Sequence, residues 1–144
     1  MSAEPAIITT VLGSCVSVCL YDARLHIGGM NHYQMPIWDG RELASPKYGN
    51  IAIERLIEKM MDLGSSPDRL IAKVFGGGQV LQSSNSVLNI GKRNIEVGQY
   101  VLEKQGISIV ASDVGGHAGR KLIYNTESGV VMVKRLKSSA AGVQ

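Results

Sequence analysis

The strongest constraint on the fold of this chain is an alternating apolar segment, residues 11–21, which a Gly-Ser pair interrupts near its start. Side chains alternate between the two faces of an extended strand, so a period of two predicts a β-strand buried in a sheet. The Gly-Ser pair predicts a kink at the entrance of that strand, because glycine lets other backbone approach closely. One predicted face is aliphatic and the other carries both cysteines: Val16, Val18 and Leu20 against Cys15, Ser17 and Cys19.

The rest of the chain mixes helical and extended patterns. Apolar residues at helical spacing predict an amphipathic helix over residues 50–63, with Asn50 as its N-cap and Gly64 after its end. A second helix is predicted over residues 94–105, before Gly106. Strands are predicted over residues 24–28, 70–75 and 107–111, and a closing hairpin over residues 122–124 and 130–134. Because this order is not the regular βαβ repeat of a doubly wound sheet, an α+β arrangement is expected.

Size and composition are those of one domain. The chain has 144 residues, of which 44% are hydrophobic and 19% are charged. A chain of this length buries enough apolar surface to fold without disulfide or metal crosslinks. Residues 1–144 are therefore expected to form a single domain, with a basic, flexible tail from residue 138.

Positive charge is concentrated near the C-terminus of the chain. The net charge is +3, and five basic residues against one Glu lie between Arg120 and Gln144. Basic ends are usually solvated, and a single Phe and a single Trp leave little material for stacking on bases, so we predict no nucleic-acid partner. Because the sequence has no long apolar run and no signal peptide, we predict a cytoplasmic protein without membrane insertion.

The two cysteines are predicted to act separately or not at all. On one extended strand, the Cα atoms of Cys15 and Cys19 are about 13 Å apart, at roughly 3.3 Å per residue. A disulfide requires less than about 7 Å, and the same separation prevents both thiols from binding one tetrahedral zinc ion. It also excludes Cys19 as the resolving thiol of a redox centre. Cys15, at the Gly-Ser entrance, is the better candidate nucleophile, and two inert buried thiols are the alternative.

His32 is the histidine best placed to activate Cys15. It lies in a strand-like stretch, residues 28–36, and pairing of that stretch with the strand of Cys15 brings the imidazole toward the thiol. A reactive thiol commonly owes a lowered pKa to a neighbouring cation, which histidine supplies. An ordinary half-buried histidine is the alternative. His117 lies in a glycine-rich turn and is expected to be a surface loop residue.

Glycine-rich segments are predicted to line a cleft. Residues 76–78 are three consecutive glycines, but neither Lys-Ser nor Lys-Thr follows them, so they do not form a P-loop. Residues 28–29 and 115–116 are further glycine pairs. Without side chains, these segments let a bulky substrate chain approach the backbone.

Several blocks of sequence, in order, carry a resemblance to a known family. The first runs from Thr9 to Val18 and includes Leu12-Gly13-Ser14-Cys15, and residues 28–32, Gly-Gly-Met-Asn-His, follow it. Later blocks are residues 73–78, 89–95 and 113–121. Over residues 9–134 the chain resembles CheD, the family of chemoreceptor glutamine deamidases in bacterial and archaeal chemotaxis.

The resemblance implies a catalytic trio of Cys15, His32 and Thr9, in which the histidine activates the thiol and the threonine orients the imidazole. It implies hydrolysis of selected receptor glutamines to glutamate and ammonia through a cysteine thioester, without a metal or an organic cofactor. It also implies an α/β fold, a sandwich of mixed β-sheet with two to three helices, similar to the bacterial toxins that deamidate glutamine in small GTPases.

The same resemblance implies the partners. We expect chemoreceptors and a CheC-type phosphatase, and a non-catalytic module that docks on and stimulates that phosphatase is the competing function. For an enzyme, the substrate side chain projects from a rigid receptor helix, and Gly29, Gly77 and Gly116 are our candidates for a cleft rim that admits it. Ser14 is a further candidate for contact with the substrate, and the backbone N–H groups around Ser14 and Cys15 are the candidate donors to the oxyanion.

Overall fold

The Gly-Ser break separates two strands that belong to different sheets. The computed structural model describes residues 4–38, 40, 44–79 and 89–136. The first strand, β1 (Ile7–Leu12), ends just before the break, and β2 (Val16–Asp22) begins just after it. The predicted kink is therefore a crossing from one sheet to the other rather than a bend within a single strand.

Two sheets and one layer of helices form an α+β sandwich, as predicted. After β2, the elements are β3 (Ile27–Met30), α1 (Gly49–Asp62), a 3₁₀ turn (Pro67–Arg69), β4 (Leu70–Gly76), α2 (Ile90–Lys104), β5 (Ser108–Val114), β6 (Arg120–Asn125) and β7 (Val131–Arg135). The three-stranded sheet has the order β1-β6-β7 and is antiparallel, whereas the four-stranded sheet has the order β3-β2-β4-β5 and is mixed. β4 and β5 run parallel because α2 carries the chain back between them.

β2 is a central strand whose two faces are both buried. Its aliphatic face packs against α1 and α2 in the larger core cluster, and its cysteine face packs against the three-stranded sheet in the smaller cluster. The smaller cluster contains Leu12, Cys19, Phe75, Leu122 and Tyr124. The alternation in the sequence thus separates two faces that meet two different layers.

The first predicted helix is present, with a different start. α1 begins at Gly49, after Tyr48, so Asn50 is not its N-cap. The Asn50 side chain accepts a hydrogen bond from the backbone N–H of Trp38 at 3.0 Å instead, and so holds the segment that precedes the helix. Gly64 follows the helix with a positive φ, as predicted.

The second predicted helix begins earlier than its apolar pattern indicates. α2 starts at Ile90, where the Asn89 side chain caps it by accepting from the Lys92 N–H at 3.1 Å. Asn94, the predicted first residue, therefore lies inside the helix. Gly106 follows the C-terminal end with a positive φ, as expected.

The reversal after β2 is built by one carboxylate. Asp22 accepts hydrogen bonds from the backbone N–H groups of Arg24 at 2.9 Å and Leu25 at 3.2 Å, which stabilises a turn. This turn occupies the first part of the stretch predicted as a strand, so β3 begins only at Ile27. The closing hairpin of β6 and β7 is present, as predicted.

Two other predictions concern the membrane and the C-terminal tail. None of the helices in the described part of the chain is long and apolar enough to cross a membrane. The tail predicted from residue 138 lies outside the described residues, so its flexibility and the extent of a single domain over residues 1–144 stay predictions.

Candidate active site

Cys15 lies at the crossing between the two sheets, in a turn formed by residues 13–15. Each carbonyl oxygen of this turn accepts a hydrogen bond from another segment: Gly13 O from Gly78 N at 2.9 Å, Ser14 O from Asn94 Nδ2 at 3.0 Å and Cys15 O from Gly77 N at 2.8 Å. The thiol is half-buried at the edge of the smaller core cluster. The end of β4 and the second turn of α2 therefore hold all three carbonyl oxygens of this turn.

His32 is held beside Cys15 by the pairing of its own segment with β2. The backbones of Val16 and Tyr33 exchange two hydrogen bonds, of 3.0 and 2.9 Å, in the same antiparallel register that joins β2 to β3. This register puts His32 opposite Ser17 and one diagonal step from Cys15, on the same face of the sheet. The predicted pairing of the two segments is confirmed.

The imidazole is hydrogen-bonded to Thr10 and not to Thr9. His32 Nδ1 lies 3.0 Å from Thr10 Oγ1. Side chains alternate along β1, so Thr10 points between the sheets on the same side as Leu12, while Thr9 points to the exposed outer face. The prediction that Thr9 makes this hydrogen bond is therefore wrong by one position.

Desolvation favours the neutral forms of the Cys15 thiol and the His32 imidazole. It raises the pKa of the Cys15 thiol, although the backbone N–H of the same residue acts in the opposite direction. His32 is exposed, but partial desolvation still lowers the pKa of its imidazole. Both directions disfavour the pair of thiolate and cationic histidine expected from the sequence, and alkylation of Cys15 tests that expectation directly.

The turn also presents unpaired donors. Among the described residues, the backbone N–H groups of Ser14 and Cys15 have no acceptor, and no hydrogen bond joins the thiol to the imidazole. Catalytic hydrogen bonds are often long without substrate and tighten when it binds. Two free N–H groups beside a thiol are the arrangement that stabilises an oxyanion during acyl transfer.

Cys19, on the same face, has a different environment. It is 1% exposed, and burial raises the pKa of its thiol to about 12 despite the nearby charge of Lys73. Ser17, between the two cysteines, is also fully buried, and its Oγ has no hydrogen-bond partner in the part of the chain described. The interior of β2 is therefore closed to a substrate, whereas its entrance is not.

Comparison with known proteins identifies the family of this chain. The sequence model described as CheD chemotactic sensory transduction matches residues 36–135. A protein of Trichlorobacter lovleyi named probable chemoreceptor glutamine deamidase CheD is 52% identical, over 95% of this chain and 85% of its own length. The chain belongs to the CheD family.

Further CheD relatives extend the same match. A protein of Sulfurimonas denitrificans with the same name is 47% identical over 96% of this chain and 90% of its own. One of Anaeromyxobacter dehalogenans, named probable chemoreceptor glutamine deamidase CheD 1, is 40% identical over 94% and 79%. A match that covers 95% of the chain necessarily includes Cys15 and His32, which precede the residues that the family model matches.

Two of the glycines predicted to line the substrate cleft lie in packed positions. Gly77 is buried under α2, where an added Cβ would collide with the Ile95 side chain, and its N–H holds the carbonyl of Cys15. Gly29 faces α1, since its Cβ would lie 2.9 Å from Leu56 Cδ1, on the side of the sheet opposite the thiol. Both glycines permit close packing, and a contact of either with a substrate stays a prediction.

The other two substrate candidates lie at the surface near the turn. Ser14 is half-buried and precedes the thiol. Gly116 is exposed between β5 and β6, beside the exposed His117, and its carbonyl accepts from Gln79 N at 2.8 Å. Because Gln79 follows the Gly78 that holds the turn of Cys15, Gly116 borders the same end of the sandwich. The contacts of Ser14 and Gly116 with a substrate stay predictions.

A buried arginine connects the two sheets behind the site. Arg120 is 1% exposed, lies 3.1 Å from the Asp113 carboxylate and donates to Gly115 O at 2.7 Å. Asp113 also pairs with Arg135 at 2.8 Å, and the hydrogen bond from Arg135 is the main cause that lowers the pKa of this carboxyl. Part of the positive charge near the C-terminus is therefore structural, since it joins β5 to β6 and β7.

Sequence reasoning missed Asn94 as a contact of the site. The residue is fully buried, and its Nδ2 donates at 3.0 Å to both Ser14 O and Gln34 O. The available signal is its helical spacing from Val97 and Gly98, which share the buried side of α2. A polar residue on the apolar side of a helix indicates a specific hydrogen-bond partner in the interior.

Proposed function

We propose that this chain is a chemoreceptor glutamine deamidase, the activity in the names of its CheD relatives, with Cys15 as nucleophile and His32 as general base. The observation that carries the proposal is the Val16–Tyr33 backbone pairing, which holds the two side chains on one face at the crossing between the sheets. The family relationship supports the substrate class, and the geometry supports the choice of Cys15 and His32 as the reacting pair.

Thr10 takes the orienting role that the resemblance assigned to Thr9. When His32 Nδ1–H donates to Thr10 Oγ1, the lone pair on Nε2 is free to accept the thiol proton. Desolvation lowers the pKa of the imidazole and so favours its neutral form, which a base requires. The proton leaves Cys15 as the sulfur attacks, so the reaction needs no preformed thiolate.

The reaction is an acyl transfer in two halves. The Cys15 sulfur forms a bond to the side-chain carbonyl carbon of glutamine while its proton passes to His32, and the N–H groups of Ser14 and Cys15 donate to the resulting oxyanion. Collapse breaks the carbon–nitrogen bond, and His32 returns the proton to the departing ammonia. Water, deprotonated by His32, then attacks the thioester and releases glutamate and the free thiol.

Three further parts of the proposal rest on the CheD relationship. The protein works in the cytoplasm without a cofactor, it docks on a CheC-type phosphatase as well as on chemoreceptors, and Ser14 and Gly116 contact the receptor helix beside the thiol. Capture of purified CheC-type phosphatase by an immobilised Cys15→Ala variant tests recognition separately from chemistry.

Mass spectrometry tests the activity directly. The full chain is incubated with a soluble chemoreceptor fragment in heavy-oxygen water, and the digested receptor is analysed. We expect particular glutamines to become glutamates that carry one heavy oxygen, since water hydrolyses the thioester. Conversion that persists with Cys15→Ala, or a wild-type protein that converts no glutamine, would contradict the proposed function.

A further inference from the structure

One buried amide connects the segment of the nucleophile to the segment of the base. Asn94 lies in the second turn of α2, is 0% exposed, and donates from Nδ2 at 3.0 Å to both Ser14 O and Gln34 O. Ser14 immediately precedes Cys15, and Gln34 follows His32 by two residues. A single side chain thus touches both segments that carry the proposed chemistry.

The contact with Ser14 sets the direction of the Cys15 N–H. In a trans peptide the carbonyl oxygen and the next N–H point in opposite directions across one rigid plane, and the described chain has no cis peptide bond. Because Asn94 holds Ser14 O from the α2 side, it turns the Cys15 N–H away from α2. That N–H belongs to the nucleophile's own residue, so it lies beside the reacting sulfur.

The neighbouring peptide is fixed in the same way by backbone. Gly78 N donates to Gly13 O at 2.9 Å, which orients the N–H of Ser14. Of the two free N–H groups in the turn, that of Ser14 is therefore oriented by the backbone of Gly78 and that of Cys15 by the side chain of Asn94. Only the second contact can be removed by a substitution.

Packing alone does not explain an asparagine at this position. Asn94 Oδ1 is buried without a hydrogen-bond partner among the described residues, and such an oxygen destabilises the folded state. An apolar side chain of the same size would fill the space without that penalty. The orientation of the amide is determined, because the reverse orientation would set its oxygen against the carbonyl oxygens of Ser14 and Gln34.

We propose that Asn94 is a positioning residue for the oxyanion site, which acts by aiming the Cys15 N–H through the Ser14 carbonyl and by holding the His32 segment through Gln34. The inference rests on the proposed deamidation. Asn94 does not touch the reacting atoms; it fixes a donor on the nucleophile's own residue, a kind of donor that acyl-transfer enzymes use.

Kinetics of two variants test this role. Asn94→Leu keeps the side-chain volume and removes both donors, whereas Tyr33→Phe deletes the hydrogen bond from Tyr33 OH to Asn94 O, 2.6 Å long, without touching Ser14. For Asn94→Leu we expect the kcat of deamidation to fall about 10²-fold, the size of a lost oxyanion donor. We expect KM and the alkylation rate of Cys15 by iodoacetamide to stay unchanged, because alkylation forms no oxyanion. Tyr33→Phe should keep the wild-type kcat.

Several results would overturn the proposal. A folded Asn94→Leu protein with wild-type kcat would do so, as would an equal loss of kcat in Tyr33→Phe or a parallel loss of the alkylation rate. If a thermal melt shows that Asn94→Leu is unfolded, Asn94→Ala replaces it. This variant also removes both donors, so kcat should fall by a similar factor, and an unchanged kcat refutes the role.

A spectroscopic measurement distinguishes this proposal from the deamidation itself. In the NMR spectrum of the isotope-labelled protein, the backbone amide of Cys15 should shift much further in the Asn94 variants than in Tyr33→Phe. If the wild-type protein converts no receptor glutamine, the proposed function fails while this comparison still decides the placement of the peptide. A Cys15 amide that does not shift overturns the Asn94 proposal whatever the activity.

Discussion

Cys15 and Cys19 lie on the same face of one extended segment, yet their surroundings differ. Cys15 precedes the first paired residue of β2 and is half-buried. Cys19 pairs with Met30 on one side and Lys73 on the other, and it is 1% exposed. Burial raises the pKa of both thiols, to about 12 for Cys19.

The difference follows from where the sheet ends. Cys19 is enclosed because strands flank it on both sides and the three-stranded sheet covers its face. At Cys15 the chain leaves one sheet for the other, so the thiol is accessible and two N–H groups lack an acceptor among the described residues. The crossing stays rigid because other segments hold its carbonyl oxygens. A crossing between sheets thus provides an accessible thiol, free N–H donors and a fixed backbone at one point.

Removal of each thiol in turn tests the difference between Cys15 and Cys19 most directly and should have the largest effect. We expect Cys15→Ala to abolish deamidation and Cys19→Ala to retain most of it, because the first removes the nucleophile and the second leaves a small gap in the core. Receptor modification is followed by mass spectrometry, and urea titration should show that Cys19→Ala lowers the free energy of unfolding by about 1 kcal/mol. A folded but inactive Cys19→Ala protein would reverse the assignment.

Removal of the base has the next largest expected effect. His32→Ala should lower kcat about 10²- to 10⁴-fold, the range of general acid–base catalysis, with little change in KM. His117→Ala is the matched control, since His117 is exposed in the turn between β5 and β6. Steady-state kinetics on a receptor fragment measures both variants. Equal losses in the two would mean that His32 does not have the proposed role.

Substitution of the two adjacent threonines tests whether the inner or the outer face of β1 orients the imidazole of His32. Thr10→Val should lower kcat about tenfold, because loss of a hydrogen bond worth roughly 1.4 kcal/mol releases the imidazole. Thr9→Val should behave as wild type, since Thr9 points to the outer face beside the exposed Ile7 and Val11. The variants have nearly the same shape as the wild type. A larger loss of kcat in Thr9→Val than in Thr10→Val would instead support Thr9 as the orienting residue, as the resemblance implies.

The smallest expected effect is on the titration of the Cys15 thiol. Burial raises its pKa, so the thiolate forms only above the ordinary thiol value of about 8.5, and alkylation by iodoacetamide should accelerate through that higher pH range. Desolvation also lowers the pKa of His32, which favours the uncharged ring, so His32→Ala should leave the alkylation midpoint nearly unchanged. A midpoint well below 8.5 that rises in His32→Ala would demonstrate a resting thiolate–imidazolium pair.

Much of the fold follows from local patterns. The alternation of β2, the helical spacing of α1 and α2 and the glycine after each helix predict these elements to within a few residues, because periodicity and turn chemistry act over short distances. Helix starts are less well predicted. Asn50 has the chemistry of an N-cap, but in the structure it bonds to Trp38, which only the packed chain brings near.

The site was predicted unevenly. The sequence indicates Cys15 and His32 as candidates because a kinked strand entrance and the pairing of two neighbouring strands are both visible in it. The glycines were not separated by role, since Gly77 beneath α2 and Gly116 at the surface have the same local signature. Thr9 and Thr10 differ by the face of β1 that the second sheet covers, and a step of one residue reverses that face.

The sequence by itself determined the membership in the CheD family, the two faces of β2 and the two side chains proposed to react, because these depend on residue identity and short-range periodicity. The tertiary structure alone decided that Thr10 contacts His32, that Asn94 holds Ser14, and that burial raises the thiol pKa while it lowers that of the imidazole. The two hydrogen bonds join residues 22 and 80 positions apart, and the pKa shifts depend on desolvation. Both are set by the layers that pack around the crossing, which no local pattern encodes.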